Sequence, residues 1–243
     1  MKHIHFVLPF VGLIAIVGCG DSKDVPAQAA VKKPEPKKMN LTADNQQTLY
    51  PLTEGSSWVY TMELERQLEG KQAERGQALL EYRVTKSFKE SATATRATVE
   101  VYRNDVMEDT QEWYKDNSGV YQVSVGKDKR AYSPPQYIVK FPVKDQEEYT
   151  WKGTGTTPVG KRGELSYVFK CEGFMNADTD MGAMHSVFIS SSGSFKAGDG
   201  QEGIIATNSW FAQDIGLIRY RQMVRIKGGQ STITLKLKSY TVK

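Results

Sequence analysis

The chain has 243 residues, 39% hydrophobic and 25% charged, with a formal net charge of +4 at pH 7. That length and apolar content suit one single-core globular domain with chain to spare. Charges of both signs are interspersed after residue 50, so no basic run points to nucleic acid, and two cysteines exclude a disulfide-dense scaffold.

Residues 6–18 form an apolar run behind Lys2, and the run ends at Gly18 and Cys19. It falls short of the about 20 apolar residues a membrane-spanning helix needs. Its shape is that of a secretory signal peptide over residues 1–18. The tetrapeptide Ile16-Val17-Gly18-Cys19 resembles the bacterial lipobox. The resemblance implies cleavage between Gly18 and Cys19 and lipidation of Cys19. Acyl chains on one cysteine would hold the protein at a membrane by burial, at about 0.8 kcal/mol per CH₂. Gly20 stands where an aspartate commonly signals inner-membrane retention. The resemblance therefore implies an outer-membrane lipoprotein facing the periplasm, with the cell surface as the alternative. With Cys19 lipidated, Cys171 has no intrachain disulfide partner, and it reads as a small buried apolar side chain.

Residues 19–46 carry no apolar period and are rich in Pro, Ala and Lys, which predicts a semi-extended tether. Lys32, Lys33, Lys37 and Lys38 suit a soluble spacer; contact with anionic headgroups is the alternative. From residue 47 to 243 the pattern is that of one β domain. Trp58, Tyr60, Met62 and Leu64 alternate along the first run. Further runs lie at 79–88, 93–102, 112–115 and 120–125, the last two flanking the turn Asp116-Asn117-Ser118-Gly119. Later runs are 137–141, 148–152, 165–174, 185–190, 204–211, 217–226 and 232–242, with Pro134-Pro135 and Thr157-Pro158 read as loop breaks. The fold class is mostly β with little helix: a single antiparallel, strongly curved sheet, or an open barrel or sandwich, of about ten strands.

Several motifs approach known chemistry and stop short. Residues 155–162 nearly match a phosphate-binding loop, but Arg162 replaces the Mg²⁺-binding hydroxyl and a strand follows instead of a helix. Asn176, Asp178 and Asp180 offer oxygens at alternate positions, like the start of a calcium loop. Gly182 is one place late and Val187 stands where the closing glutamate belongs, so a solvated turn is the preferred reading. His185 is the sole histidine once the signal is removed, which excludes multi-histidine metal sites. A triad with Ser190, Ser191 or Ser192 is formally open, but no nucleophile elbow accompanies it. Glu63 with Glu65, and Glu147 with Glu148, are carboxylate pairs without a glycosidase setting.

Two patches carry a wider resemblance. The segment Tyr50-Pro51-Leu52-Thr53-Glu54-Gly55-Ser56-Ser57-Trp58-Val59-Tyr60 resembles the opening of a group of uncharacterised bacterial lipoproteins. The segment Trp210-Phe211-Ala212-Gln213-Asp214-Ile215-Gly216-Leu217-Ile218 is similar to their later Trp-Tyr-Ala-x-x-Val-Gly-Leu-Val. The resemblance implies a curved antiparallel sheet distantly similar to the periplasmic lipoprotein-carrier fold, and no known reaction. As residues, the aromatics read as folding determinants.

The expected function is a non-enzymatic, membrane-anchored envelope module that binds a protein, glycan or lipid, without cofactor, nucleotide or nucleic acid. The alternative is a carrier holding acyl chains against a dry concave face lined by Trp113, Tyr121, Phe141, Trp151 and Trp210. An envelope hydrolase built on His185 and a calcium-stabilised adhesive module are the remaining classes.

Overall fold

The computed structural model describes residues 39, 41–42 and 45–243. The signal, Gly18, Cys19 and almost all of the tether lie outside the described residues. Twelve strands follow a single 3₁₀ turn, Gln46–Leu49. They are β1 (Ser57–Leu68), β2 (Glu74–Lys89), β3 (Thr95–Arg103), β4 (Val106–Asp116), β5 (Gly119–Val125) and β6 (Arg130–Lys140). The second half is β7 (Glu148–Thr156), β8 (Arg162–Thr179), β9 (Gly182–Ala197), β10 (Glu202–Ala212), β11 (Gly216–Ile226) and β12 (Gly229–Thr241).

Each strand pairs antiparallel with the next, and β12 returns to β1 from Ser57↔Thr241 to Leu68↔Gly229, closing a barrel. This corrects the expectation of about ten strands in an open sheet or sandwich. Every predicted run is a separate strand, and several reach into polar flanks that lack apolar alternation, as β6 and β9 do. Closure rests on pairing between residues some 170 positions apart, which local periodicity does not encode. Pro134 and Pro135 also depart from expectation, for they lie inside β6. They fit there because β6 meets β7 through one residue pair, Ser133↔Thr154, so the missing N–H groups break no ladder. Trp151 Nε1 ties this thin seam by donating to the Pro135 carbonyl at 3.0 Å.

The apolar alternation of each strand faces the lumen. Trp58, Tyr60, Leu80, Tyr82, Val99, Val101, Trp113, Phe211 and Tyr220 are all fully buried. Charged and polar side chains alternate with them on the outer wall. That pattern is the reverse of a bilayer-spanning barrel, whose apolar band faces outward.

One end of the barrel is plugged by the segment ahead of β1. Tyr50 sits among Trp58, Trp113 and Phe211, with ring centroids at 5.5, 5.1 and 6.1 Å. Trp58 Nε1 donates to the Ile215 carbonyl, and Tyr60 Oη donates to the Leu217 carbonyl at 2.8 Å. The two sequence patches thus meet in space. Gly216, at φ +105, lets the chain turn under Trp58 and Tyr50, whose atoms would lie 3.6 Å from a Cβ there. The tip of the β8–β9 hairpin closes the same end, with Asp180 N–H donating to the Leu237 carbonyl at 3.0 Å.

Lys115 lies under the plug, and its ammonium approaches the carbonyls of Gln47 and Tyr50 at 3.4 and 3.3 Å. Burial holds its pKa below the usual 10.5. Between that lowered value and 10.5 the folded chain binds fewer protons than the unfolded one, so this group makes stability rise with pH across the window. The difference in melting temperature between pH 8 and pH 10 should therefore shift downward in Lys115→Met. An identical difference in the two proteins would show that the ammonium is not buried.

Candidate functional site

The sequence-flagged residues do not converge on a reactive centre. Asn176 and Asp178 stand two apart on the exposed face of β8, which spaces their oxygens along the strand. The Asp180 carboxylate accepts a hydrogen bond from Thr61 Oγ1 and so fastens the hairpin tip to β1. Among the described residues no three His, Cys, Asp or Glu side chains gather as a metal site. His185 Nδ1 accepts the Met39 N–H at 3.1 Å, and its ring stacks on Phe174 at 6.4 Å. Ser190 bonds Glu172 at 2.7 Å and Ser191 bonds Thr207 at 2.6 Å, both well along β9 from His185, so no triad forms there. The glycine-rich turn before β8 uses its backbone internally: Thr157 N–H donates to Lys161 O at 2.8 Å and Gly160 N–H to Thr157 O at 2.9 Å. Val159 of that turn is buried against the barrel core. Cys171 is a buried free thiol with its pKa pushed up by burial. Glu63 and Glu65 face outward and pair with Lys236 and Arg75. Glu147 pairs with Lys140 at 3.0 Å.

The lumen is filled, which corrects the acyl-carrier alternative as framed on its aromatic set. Trp113, Phe141 and Trp151 are buried core residues, whereas Tyr121 and Trp210 are only half-buried, so the five do not share one open concave face. Mid-barrel, Gln111 Oε1 accepts from Trp113 Nε1 and Gln122 Nε2, both at 2.9 Å. Gln111 Nε2 in turn donates to Asp109, whose pKa burial pushes up. A cavity of about 20 Å³ adjoins Gln122 and Gln136. Gln122 Oε1 is buried without a partner. That space matches one water rather than an acyl chain.

Room for a ligand lies on the outer wall. One open depression of about 1060 Å³ crosses β7 to β11 and is lined by Lys152, Ser166, Ser194, Ile204, Arg225 and Lys227 among others. A second of about 790 Å³ crosses β11, β12, β1 and β2, with Arg219, Arg221, Thr232 and Thr234 among its lining residues. Close backbone approach shapes the first at Gly203, where a Cβ would lie 2.6 Å from the Phe195 ring, and shapes an adjoining depression of about 410 Å³ over β8 to β10 at Gly193, where a Cβ would lie 2.0 Å from the Ser166 carbonyl oxygen.

β11 stands between the two depressions. Its inward residues are Tyr220, Gln222, Val224 and Ile226, and its outward residues are Arg219, Arg221, Met223 and Arg225, with Lys227 next at the turn. Several cations elsewhere on the wall are neutralised, Arg83 by Glu81 at 2.6 Å and Arg96 by Glu90 at 2.6 Å and Glu112 at 3.0 Å, while scattered exposed lysines such as Lys86 and Lys152 form no ion pair among the described residues. Among the described residues none of Arg219, Arg221, Arg225 or Lys227 has an ion-pair partner. Arg225 bonds the neutral Gln230 at 3.2 and 3.0 Å. Arg219 lies over Trp210 at 5.0 Å, and Trp210 stacks on Phe188 at 4.7 Å. Arg219 Nε is buried and lacks an acceptor. Sequence reasoning missed this rail because its cations are separated by Tyr220, Gln222 and Val224. The usable signal was strand alternation, which brings every second residue to one face.

Fold and wall together define a filled, polar-faced meander barrel with an external cationic track. No family model and no curated protein matches the chain. Among the solved structures similar to it are the following three. A proposed lipoprotein from Parabacteroides distasonis aligns with TM-score 0.47 and 13% identity, over 79% of this chain and 98% of that one. A proposed exported protein with YmcC-like fold from Bacteroides fragilis aligns with TM-score 0.46 and 13% identity, over 78% and 98%. The hypothetical lipoprotein YmcC from Escherichia coli aligns with TM-score 0.37 and 12% identity, over 84% and 92%.

Proposed function

We propose that the chain is a bacterial lipoprotein, anchored through Cys19 in the outer membrane and facing the periplasm, whose barrel is a non-enzymatic binding module of the cell envelope. The observation that carries the reading is where the space lies. The lumen holds a cavity of about 20 Å³, whereas the outer wall offers depressions of about 1060 and 790 Å³. Binding pockets for small ligands usually span about 300–1,000 Å³. The partner therefore docks outside, on the face from β7 to β1.

Cys19→Ala should move the protein from the membrane to the soluble envelope fraction, because the acyl chains are the anchor. A photo-crosslinker at Ile204, 47% exposed in the first depression, should capture an envelope component that one at Val106, 65% exposed on β4 across the barrel, does not. Retention of Cys19→Ala in the membrane removes the anchoring half of the proposal. Equal crosslinking from both positions removes the binding half.

A further inference from the structure

We infer that the outer face of β11 is a binding track for an acidic polysaccharide, a carboxylate-bearing chain lying along Arg219, Arg221, Arg225 and Lys227. The inference rests on the envelope-binding reading and gives that site its ligand class.

The charge arrangement comes first. Residues two apart on a strand are about 6.7 Å apart along it. Two like charges at that distance repel by about 0.6 kcal/mol at the dielectric of water. No ion pair offsets that repulsion in any of the four, as one does for Arg83 and Arg96; Arg219 gains only its place over Trp210 and Arg225 its bonds to the neutral Gln230. Unneutralised charge in register is what an external anion would use. From Arg219 to Lys227 the track covers eight residue steps, about 27 Å, so its partner is extended.

Width comes second. The uncompensated charge is one strand wide. On the β12 side it is bordered by Gln230, Thr232, Thr234 and, opposite Arg219, by Lys236, whose charge Glu63 takes up, and on the β10 side by Ile204, Ala206, Asn208 and Trp210. Beyond these rows Glu65 pairs with Arg75 and Glu202 with Lys196. A line of charge fits a single polymer chain. A headgroup surface would favour a broad patch.

The borders come third. Hydroxyl and amide side chains beside the cations match the hydroxyls of a sugar chain, and arginine forks bind carboxylates in a bidentate manner. Single-stranded nucleic acid would ask for open aromatic platforms. The rings beside the track, Phe188 and Trp210, are instead stacked on each other, with Arg219 over Trp210.

The test uses the full chain in neutral detergent, with polygalacturonate oligomers of four and eight units as probes. Neutral galactan, oligothymidylate and vesicles with one-third phosphatidylglycerol serve as the other arms. The octamer should bind more tightly than the tetramer, and binding should weaken as salt rises. Arg221→Gln with Arg225→Gln should weaken it at least about tenfold, the scale of one charge-assisted hydrogen bond. Arg221→Lys with Arg225→Lys should keep most of it, and both double variants should melt as the parent does. Failure of polygalacturonate to bind, or binding indifferent to Arg221→Gln with Arg225→Gln, overturns the inference. Tighter binding of oligothymidylate or vesicles, with the same arginine dependence, overturns it in favour of that partner. If Cys19-dependent anchoring and Ile204 crosslinking hold while polygalacturonate fails, only the ligand class falls.

Discussion

Trp58→Ala is expected to lower folding stability by about 3–5 kcal/mol, the range for a large aromatic removed from a closed core. Trp58 is 0% exposed and stands where the chain makes its longest-range junction. It packs on Tyr50 at 5.5 Å, and its indole N–H bonds the Ile215 carbonyl. Truncation leaves three deficits together: a cavity, an unpaired carbonyl and a loosened plug. Fluorescence is a poor readout when the tryptophan itself is removed, so urea unfolding followed by far-UV circular dichroism is the measurement. Trp58→Phe keeps most of the ring and loses the N–H, and it should cost less than half as much. A loss below about 1 kcal/mol in Trp58→Ala would mean that the junction of the two patches does not hold the barrel shut.

That junction also shows what the sequence could and could not display. Trp58, Tyr60, Met62 and Leu64 announce a half-buried strand by alternation, and β1 is that strand. The aromatics at Tyr50 and Phe211 read correctly as folding determinants. That they touch, at 6.1 Å, follows from the β1–β12 closure, which depends on register across the whole chain. Strand length was under-read for a related reason. β9 runs through Ser190, Ser191, Ser192, Gly193 and Ser194, which have no β propensity to advertise, and is held extended by β8 and β10 on its flanks. Cys19 was legible as a motif and lies outside the described residues. The cationic track was written openly in residues 219–227, but counting charge along the chain hides it, because a strand sorts neighbours to opposite faces.

The same accounting separates this barrel from two relatives in shape. A carrier needs an open apolar lumen, and here Trp113, Trp151, Tyr167 and Tyr220 occupy it. A bilayer-spanning barrel needs an apolar exterior, and here Arg221 and Arg225 stand exposed on β11. With the inside occupied and the outside charged, the proposed binding falls to the wall. Its shape then depends on how far the backbone sinks inward.

Gly193→Ala tests that dependence and is expected to cost about 3 kcal/mol, the upper end of the range for overpacking. A Cβ at this position would fall 2.0 Å from the Ser166 carbonyl oxygen and 3.0 Å from the Tyr167 ring. The first contact is with backbone, so no side-chain rotation relieves it, and β8 and β9 must move apart at mid-barrel. Gly76→Ala in β2 is the control, since nothing lies within 4 Å of a Cβ there. It should be neutral or stabilising by up to about 1 kcal/mol, because alanine has less backbone freedom to lose. Similar melting temperatures for the two variants would refute the close approach and, with it, the origin of the depression over β8 to β10. At temperatures where Gly193→Ala remains folded, the variant also separates depression from track. β11 lies two strands away and keeps its four cations, so a ligand held by the track should bind within about threefold of the parent, little more than the half kcal/mol ordinary for remote surface changes. A larger loss would assign the binding to the depression over β8 and β9 and not to the arginines.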